Sequence, residues 1–318
     1  ERAAAVTATD WMERRHGAAV VAGQWADALL PLLDHTLGQP APDAPSVSWL
    51  ARGLRAEVRN WLPLGLLGWI VLPSRLPPRR GLLHRRIGQR KVTVRLRSGQ
   101  TVTCRVAELF AVTEVFAVAT YDRAGFDWAA ARTIVDVGAN IGAATVWMAG
   151  RAPHARVVAV EPSPHALPLL RENVAANGLT DRVTIVPCAI AAAPGTVRLS
   201  AAGTSVSGRV VADGTPPSGG DDLVAARTLP SVLRDAGVET VDILKLDCEG
   251  AEFDIIETMG PADLARVGAI VGEYHTFNGR QPRELRPPLA AAGFIFSWSG
   301  GGEIGTFAAL RPAPPPAP

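Results

Sequence analysis

The feature that most constrains the fold is a regular alternation of apolar, strand-like runs with helix-like segments from Thr133 onward. Short continuous apolar runs such as TIVDV are typical of parallel strands that are covered on both faces. The alternation therefore predicts an α/β fold with a doubly wound sheet. The predicted strands are 133–137, 156–160, 183–187, 241–247 and 269–274, with a terminal strand pair around SGGGEIG. The predicted helices begin at Gly142 and span 164–177, 229–235, 252–259 and 283–292.

The chain ahead of this core shows different patterns. Helical spacing in 1–39, and again from Ser46 or Ser48 into the apolar run 61–72, predicts a mainly helical N-terminal extension over 1–90. Alternating apolar residues around Ser98 and Gly99 predict a β-hairpin, and a helix is expected at about 107–120. The predicted divisions are the extension 1–90, the hairpin and helix 91–130, the α/β core 131–311 and a disordered Pro-rich tail 312–318.

Composition excludes several protein classes. A hydrophobic content of 47% argues against general disorder, and a net charge of +2 gives no indication of a nucleic-acid partner. The three cysteines, Cys104, Cys188 and Cys248, have neither zinc-ligand spacing nor the density of a disulfide scaffold. The low cysteine content, together with the lack of a visible signal peptide, predicts a reducing, cytoplasmic location.

The extension has two open interpretations. The apolar run 61–72 is followed by nine basic residues between Arg75 and Arg97 with no acidic one, a pattern that a membrane-surface contact would use. Twelve residues are too few to span a bilayer, which needs about 20 in a helix. We favour a buried helix and a solvated strand face over membrane contact through Trp61 to Arg97. A lid over a bulky substrate or an interface of a homo-oligomer are further roles for the extension.

A glycine turn follows the first core strand in the sequence VDVGANIG, which contains Asp136, Gly138, Asn140 and Gly142. Such a turn lets a ligand approach the backbone at a helix N-terminus. The spacing differs from the dinucleotide fingerprint G-x-G-x-x-G, and this counts against a nicotinamide oxidoreductase. A carboxylate at Asp136 would repel a pyrophosphate, so it suits a cationic or amino-bearing ligand.

The second core strand ends at Glu161 in VVAVEPSP, 25 positions after Asp136. A carboxylate at this strand end is positioned to accept hydrogen bonds from both ribose hydroxyls of a nucleoside. A ligand with a ribose, an amino group and a positive charge matches S-adenosylmethionine. The sequence therefore predicts an S-adenosylmethionine site.

Acidic and basic side chains also follow the later strands. The sequence DILKLDCEGAEF brings Lys245, Asp247, Glu249 and Glu252 to the end of one strand, and GEYH brings Glu273 and His275 to the end of the next. Ligands of open α/β sheets bind at this edge. His275 is a candidate general base, whereas the carboxylates with His275 are an alternative site for Mg²⁺ or another divalent ion. We favour the base and expect no resident metal.

These motifs, in this order and spacing, resemble the FkbM family of S-adenosylmethionine-dependent methyltransferases over about Val106 to Leu310, with LKLDCEGAE as the most specific segment. The resemblance implies a class I methyltransferase (Rossmann-like) fold and O-methylation of a natural-product or sugar hydroxyl. It also implies that Pro162, Cys188 and Ala189 join Asp247 in the cofactor site, with adenine near Cys188 and Ala189. Two departures are Pro230, where an acidic residue is expected, and the lack of an acidic residue in CAIAAAPG.

The predicted reaction is an in-line transfer of a methyl group to a small-molecule acceptor. His275 is expected to take the proton of the acceptor, with Glu249 or Asp247 orienting its ring. The alternative from another class is a non-catalytic or membrane-surface module with a Rossmann-like core.

Overall fold

The structure, a computed structural model, describes residues 57–58, 89–96, 98–116, 119–122, 126–199, 221–276, 279–300 and 302–312. The chain divides into two compact units, residues 1–118 and 119–318. Several predicted features lie outside the described residues: the helices within 1–39, the apolar run 61–72, most of the basic run, and the tail from 313 onward. No helix among the described residues is long and apolar enough to cross a membrane.

The described part of the first unit contains a three-stranded antiparallel sheet in the order β1-β2-β3. Its strands are β1 (Glu57–Val58), β2 (Lys91–Arg95) and β3 (Thr101–Arg105). Side chains in β2 alternate between exposed and buried, and Gly99 adopts φ +88° in the turn, so the predicted hairpin is confirmed. Glu57–Val58 pairs with the edge of β2, so the predicted helix is wrong at these two residues.

A buried carboxylate fixes the helical segment that follows the hairpin. A 3₁₀ turn (Val106–Glu108) leads into helix α1 (Leu109–Phe116), which is shorter than predicted. Glu108 accepts hydrogen bonds from the Arg105 backbone N–H at 2.8 Å and from its guanidinium at 2.6 Å. These bonds satisfy donors that the start of the helix leaves unpaired. Burial, with the Glu108 charge, raises the pKa of Cys104 to about 12, which leaves this thiol unreactive.

The second unit is built on a seven-stranded sheet in the order β12-β13-β11-β10-β4-β5-β6. Strands β4, β5, β6, β10 and β11 are parallel, whereas β13 runs antiparallel to both β11 and β12. This confirms the predicted α/β fold with a mostly parallel sheet. The strands are β4 (Thr133–Val137), β5 (Arg156–Val160), β6 (Val183–Val186), β10 (Val241–Leu246), β11 (Val267–His275), β12 (Ile295–Ser299) and β13 (Ile304–Leu310).

Helices connect these strands, close to their predicted positions. They are α2 (Ala143–Arg151), α3 (Leu167–Ala176), α4 (Leu229–Asp235), α5 (Glu252–Thr258), α6 (Pro261–Ala265) and α7 (Arg286–Ala291), the last preceded by a 3₁₀ turn (Pro282–Leu285). Thr228 caps α4 by accepting a hydrogen bond from the Ser231 N–H at 3.3 Å. Pro230, a departure from the family pattern, lies in the first turn of α4, where its missing N–H costs nothing.

A second, small sheet in this unit is absent from the sequence prediction. It contains β7 (Ala189–Ile190), β8 (Gly195–Leu199) and β9 (Asp222–Arg227) in the order β7-β9-β8. Strand β7 follows β6 after a short turn, so Cys188 lies between the two sheets along the chain and Ala189 begins β7.

Candidate active site

The glycine turn after β4 is shaped by its neighbours in the fold. Gly138 and Gly142 have φ values of +78° and +86°, which favour glycine. A Cβ on Gly138 would lie 1.8 Å from the Asp247 carbonyl oxygen, and one on Gly142 would lie 2.7 Å from Cδ1 of Leu170. The sequence attributes these glycines to a ligand that approaches the backbone. The structure shows that each also makes room for a neighbouring segment of the chain.

Asp136 faces a cation that belongs to the chain itself. Its wholly buried carboxylate lies 2.9 Å from Nζ of Lys245 and accepts a hydrogen bond from the Thr145 hydroxyl at 2.6 Å. Asp136 and Lys245 are opposite each other in the register of β4 and β10, which explains their contact. Lys245 therefore neutralises this carboxylate within the chain, and a contact of Asp136 with a cationic or amino-bearing ligand stays a prediction.

Lys245 also supports the backbone of the turn. Its ammonium group donates a hydrogen bond to the Gly138 carbonyl at 2.7 Å. Burial opposes its charge, but the Asp136 and Asp247 carboxylates outweigh that effect and raise the pKa of Lys245. The residue is therefore a fixed positive charge beneath the turn.

Glu161, directly after β5, is held by two backbone N–H groups. Its carboxylate accepts hydrogen bonds from Asn140 N–H at 2.6 Å and Ser163 N–H at 2.7 Å, one on each oxygen. Burial raises the pKa of Glu161 to about 7, although both N–H groups and Lys245 act in the other direction. Each oxygen keeps a lone pair, so the side chain can accept the two hydroxyls of a ribose.

Asn140 supplies a second polar group on the turn. Its φ of +51° is unusual for a residue other than glycine. Its side-chain Oδ1 is buried and has no hydrogen-bond partner among the described residues. Asn173, from α3, donates to the neighbouring Ile141 carbonyl at 2.8 Å and so holds the turn in place. An unused acceptor beside Glu161 fits a ligand that carries both an amino group and a ribose.

The other predicted cofactor residues lie near the ends of neighbouring strands. Pro162 is half-buried directly after Glu161, and Cys188 and Ala189 are buried after β6. The Glu161 N–H donates to the Val186 carbonyl at 3.1 Å, which ties these two strand ends together. Burial raises the pKa of the Cys188 thiol, which makes it a packing group at neutral pH.

The loop after β10 carries the carboxylates of Asp247 and Glu249, and its backbone donates hydrogen bonds to a third carboxylate, that of Glu252. Glu249 has φ +55° and Gly250 has φ +108°, so this loop is a sharp left-handed turn. Glu252, the first residue of α5, accepts hydrogen bonds from Cys248 N–H at 2.8 Å and Gly250 N–H at 3.1 Å. The loop conformation is therefore tied to one buried carboxylate.

His275, at the end of β11, lies among all three of these carboxylates. Its Nδ1 is 2.9 Å from Oε1 of Glu252, and its Nε2 is 3.9 Å from Asp247 and 3.7 Å from Glu249. The structure therefore brings the predicted residues together, but Glu252 is the one that contacts Nδ1. Burial alone would lower the pKa of His275, yet Glu252, Glu249 and Asp247 together raise it to about 9.

Tyr121 belongs to this site and has no signal in the sequence. Its hydroxyl donates a hydrogen bond to Oδ2 of Asp247 at 2.5 Å, and its ring lies 5.4 Å from Nζ of Lys245. The two partners in the first bond are 126 positions apart, a separation that spacing arguments do not reach. Glu273 is buried in β11, two residues before His275.

Three of these residues offer donors of the type that bind metals. One ligand atom each from Asp247, Glu252 and His275 lie within 4.8 Å of one another. Carboxylate and imidazole donors suit several divalent ions. In this arrangement, however, the Glu252 carboxylate already accepts two backbone hydrogen bonds and contacts Nδ1 of His275.

Comparison with known proteins supplies independent findings. The sequence model for the methyltransferase FkbM domain matches residues 136–296, just over half of the chain. Methyltransferase sdnD of Sordaria araneosa is 28% identical over 186 residues, which cover 50% of this chain and 70% of sdnD. The 31-O-demethyl-FK506 methyltransferase FkbM of Streptomyces tacrolimicus is 25% identical over 217 residues, which cover 59% and 83% of the two chains.

A solved structure is also similar to this one. The crystal structure of methyltransferase FkbM from Methylobacillus flagellatus KT matches with a TM-score of 0.42 and 14% sequence identity. The match covers 64% of this chain and 54% of that chain.

Proposed function

Because the chain belongs to the FkbM methyltransferase family, we propose that it transfers a methyl group from S-adenosylmethionine to a hydroxyl of a small natural product or sugar. The observation that carries this proposal is the position of Asp247. Its carbonyl lies against Gly138 of the glycine turn, while its carboxylate lies 3.9 Å from Nε2 of His275. A cofactor bound at the turn would therefore lie beside the loop that contacts the proposed proton acceptor.

The residues around the turn fit the proposed cofactor. Glu161 would accept the ribose hydroxyls, and the buried Oδ1 of Asn140 would accept the amino group of the methionine part. Pro162, Cys188 and Ala189 would line the adenine side, as the family resemblance implies. S-adenosylmethionine supplies an electrophilic methyl group on a positively charged sulfur.

His275 is the proposed acceptor of the hydroxyl proton. A hydroxyl is a weak nucleophile while it keeps its proton, so a base near the reacting oxygen increases its reactivity. Only the neutral imidazole can act in this way, and its fraction increases with pH and reaches one half at a pKa of about 9. The turnover rate should therefore rise with pH through the neutral range. The remaining rate enhancement would come from alignment of the reactants and exclusion of water.

Support for oxygen as the methylated atom comes from a relative. The name of the Streptomyces tacrolimicus protein, 31-O-demethyl-FK506 methyltransferase, specifies an oxygen. His275 among three carboxylates is also a suitable group for removing a hydroxyl proton.

Calorimetry with S-adenosylmethionine, S-adenosylhomocysteine and NADH tests the cofactor. We expect S-adenosylhomocysteine to bind and NADH not to bind, with affinity for the former reduced in Glu161→Ala. Absence of binding by both methyl-cofactor forms, with and without Mg²⁺, would contradict the proposal.

A second assay tests the methylated atom. Methyl-labelled S-adenosylmethionine is incubated with hydroxyl-bearing and amine-bearing acceptors, and mass spectrometry locates the label. Transfer to nitrogen alone would remove O-methylation while leaving the family assignment intact.

A further inference from the structure

Glu252 contacts both the loop before α5 and the imidazole of His275, which is more than stabilisation of a helix end requires. Its carboxylate is wholly buried and accepts hydrogen bonds from the backbone N–H groups of Cys248 and Gly250. The same Oε1 atom that accepts from Cys248 lies 2.9 Å from Nδ1 of His275. One side chain therefore links the loop that carries Glu249 to the imidazole on β11.

A role limited to helix stabilisation does not explain these contacts. A carboxylate in the first turn of a helix favours the helix dipole and commonly accepts from N–H groups of that turn. Here both backbone donors precede the helix, at Cys248 and Gly250, and the third contact is with another strand. The carboxylate therefore organises the site ahead of α5.

The donors around Glu252 determine which nitrogen of His275 carries a proton. Backbone N–H groups can only donate, so both oxygens of Glu252 are acceptors, Oε1 towards Cys248 and Oε2 towards Gly250. Because Oε1 acts as an acceptor, Nδ1 of His275, 2.9 Å away, must be the donor. In the neutral imidazole the unprotonated atom is then Nε2, which faces Asp247 and Glu249.

We infer that Glu252 is a positioning residue that holds neutral His275 as the Nδ1–H tautomer, so that Nε2 is the atom that accepts the substrate proton. This inference rests on the proposed function in its final step, the transfer of a hydroxyl proton to Nε2. In that step the O–H bond breaks, its electron pair stays on the oxygen, and the proton adds to Nε2 so that the imidazole becomes an imidazolium. The arrangement has the same logic as a base oriented by a third group in other enzymes.

The first test is nuclear magnetic resonance of the wild-type chain labelled with ¹⁵N-histidine, which needs neither cofactor nor turnover. At a pH about one unit above the pKa of His275, the expected neutral form has its proton on Nδ1. Asp247, Glu249 and Glu252 are the charged groups that face the ring in this titration. A neutral form with the proton on Nε2 would overturn the inference, whatever the reaction proves to be.

The second test compares Glu252→Gln with Glu257→Gln, a matched change on the same helix at a half-exposed position that contacts Arg280. Loss of the Glu252 charge should move the His275 titration and the rising limb of the kcat profile to lower pH. We expect kcat at the plateau to fall at least about tenfold, with KM for the cofactor changed less than about threefold. Glu257→Gln should leave the titration and the profile unchanged.

Two results of the second test would overturn the inference. One is an unchanged His275 titration in a folded Glu252→Gln variant. The other is a requirement for Mg²⁺ or Mn²⁺ combined with loss of the His275 titration when the ion is added, which would make Nε2 a metal ligand. If the wild-type chain shows the Nδ1–H tautomer but methylates no hydroxyl, the proposed function fails while the tautomer assignment stands.

Discussion

The second unit contains two buried groups of charges that differ in their balance. The Asp136 cluster, made of Asp136, Lys245 and Thr145, joins one carboxylate to one ammonium group. The His275 cluster, made of His275, Asp247, Glu249 and Glu252, surrounds one imidazole with three carboxylates. The Asp136 and Lys245 side chains are 0% and 2% exposed, whereas those of Asp247 and Glu249 are 20% and 15% exposed.

This difference separates a structural role from a chemical one. A balanced ion pair sealed from solvent holds two strands in register. An imidazole among excess carboxylates can change its charge, and here the imidazole is buried while two of the carboxylates are partly exposed. Both clusters consist of buried ionisable groups, so burial alone does not identify the reactive one.

The largest effect should follow from His275→Ala. Turnover should fall about 10²- to 10⁴-fold because the proposed proton acceptor is removed. Affinity for S-adenosylhomocysteine should change less than about twofold, since the cofactor residues are on the other strand ends. Stopped-flow kinetics and calorimetry measure the two quantities. An equal loss of cofactor affinity and turnover would contradict the chemical role that we assign to the His275 cluster.

Lys245→Met should be nearly as damaging, but to stability. It leaves the Asp136 carboxylate buried without its cation, which costs about 3–5 kcal/mol in the free energy of unfolding. The double variant Asp136→Asn/Lys245→Met should recover much of this loss. Urea denaturation at pH 7 measures both. A single variant as stable as the wild type would show that the Asp136 cluster is not structural.

Glu161 should give the cofactor side a pH dependence of its own. Ribose hydroxyls donate to an ionised carboxylate, so affinity for S-adenosylhomocysteine should fall as the pH drops through a pKa of about 7, towards a plateau about tenfold weaker. Asp136 and Lys245 are the other charged groups that influence this carboxyl. Calorimetry at pH values between about 5.5 and 8, in steps of roughly half a unit, measures this change in affinity.

Glu161→Gln is the control for that pH dependence. This variant should bind about tenfold more weakly at pH 8, because a hydrogen bond to a charged group is lost, and its affinity should be independent of pH. An unchanged slope in Glu161→Gln would assign the titration to another group, such as His275.

The smallest effect should distinguish two glycines. Gly142→Ala should cost about 1–2 kcal/mol of stability because of its positive φ, with an additional cost from Leu170, which lies within 2.7 Å of the new Cβ. Gly178→Ala has a positive φ of +66° with open space around the Cβ, so it should show the backbone cost alone, about 1 kcal/mol. Thermal denaturation compares them. Equal losses of stability in the two variants would mean that the Leu170 side chain moves away from the new Cβ without an energetic cost.

Much of the sheet could be predicted from the sequence because its strands are buried on both faces. Runs such as the one at Thr133–Val137 leave a continuous apolar signal that needs no knowledge of the neighbours. The small sheet leaves no such signal, since β7 has two residues and β8 and β9 are mostly exposed or half-buried. Local patterns therefore predicted the continuously buried strands of the central sheet and missed the very short or partly exposed strands of the small sheet.

The position of the candidate site could be predicted from the sequence, but the contacts between its side chains could not. Strand ends gather on one edge of a parallel sheet, which explains why Glu161, Asp247 and His275 were identified. The contact between Asp136 and Lys245 depends on β4 lying beside β10, an order that the sequence does not specify. The Tyr121 and Glu252 contacts likewise depend on which atoms face each other after folding.

The position of β13 has a consequence for the order in which the central sheet assembles during synthesis. Among the seven strands of the central sheet, β13 is the last in sequence, yet it lies inside the sheet between β12 and β11. It pairs with β11 along its length, as far as Ile304 opposite His275. During synthesis on the ribosome, the edge of β11 that carries His275 therefore remains open until the final strand emerges. A chain released before residue 304 would retain the glycine turn and lack the strand that flanks the imidazole.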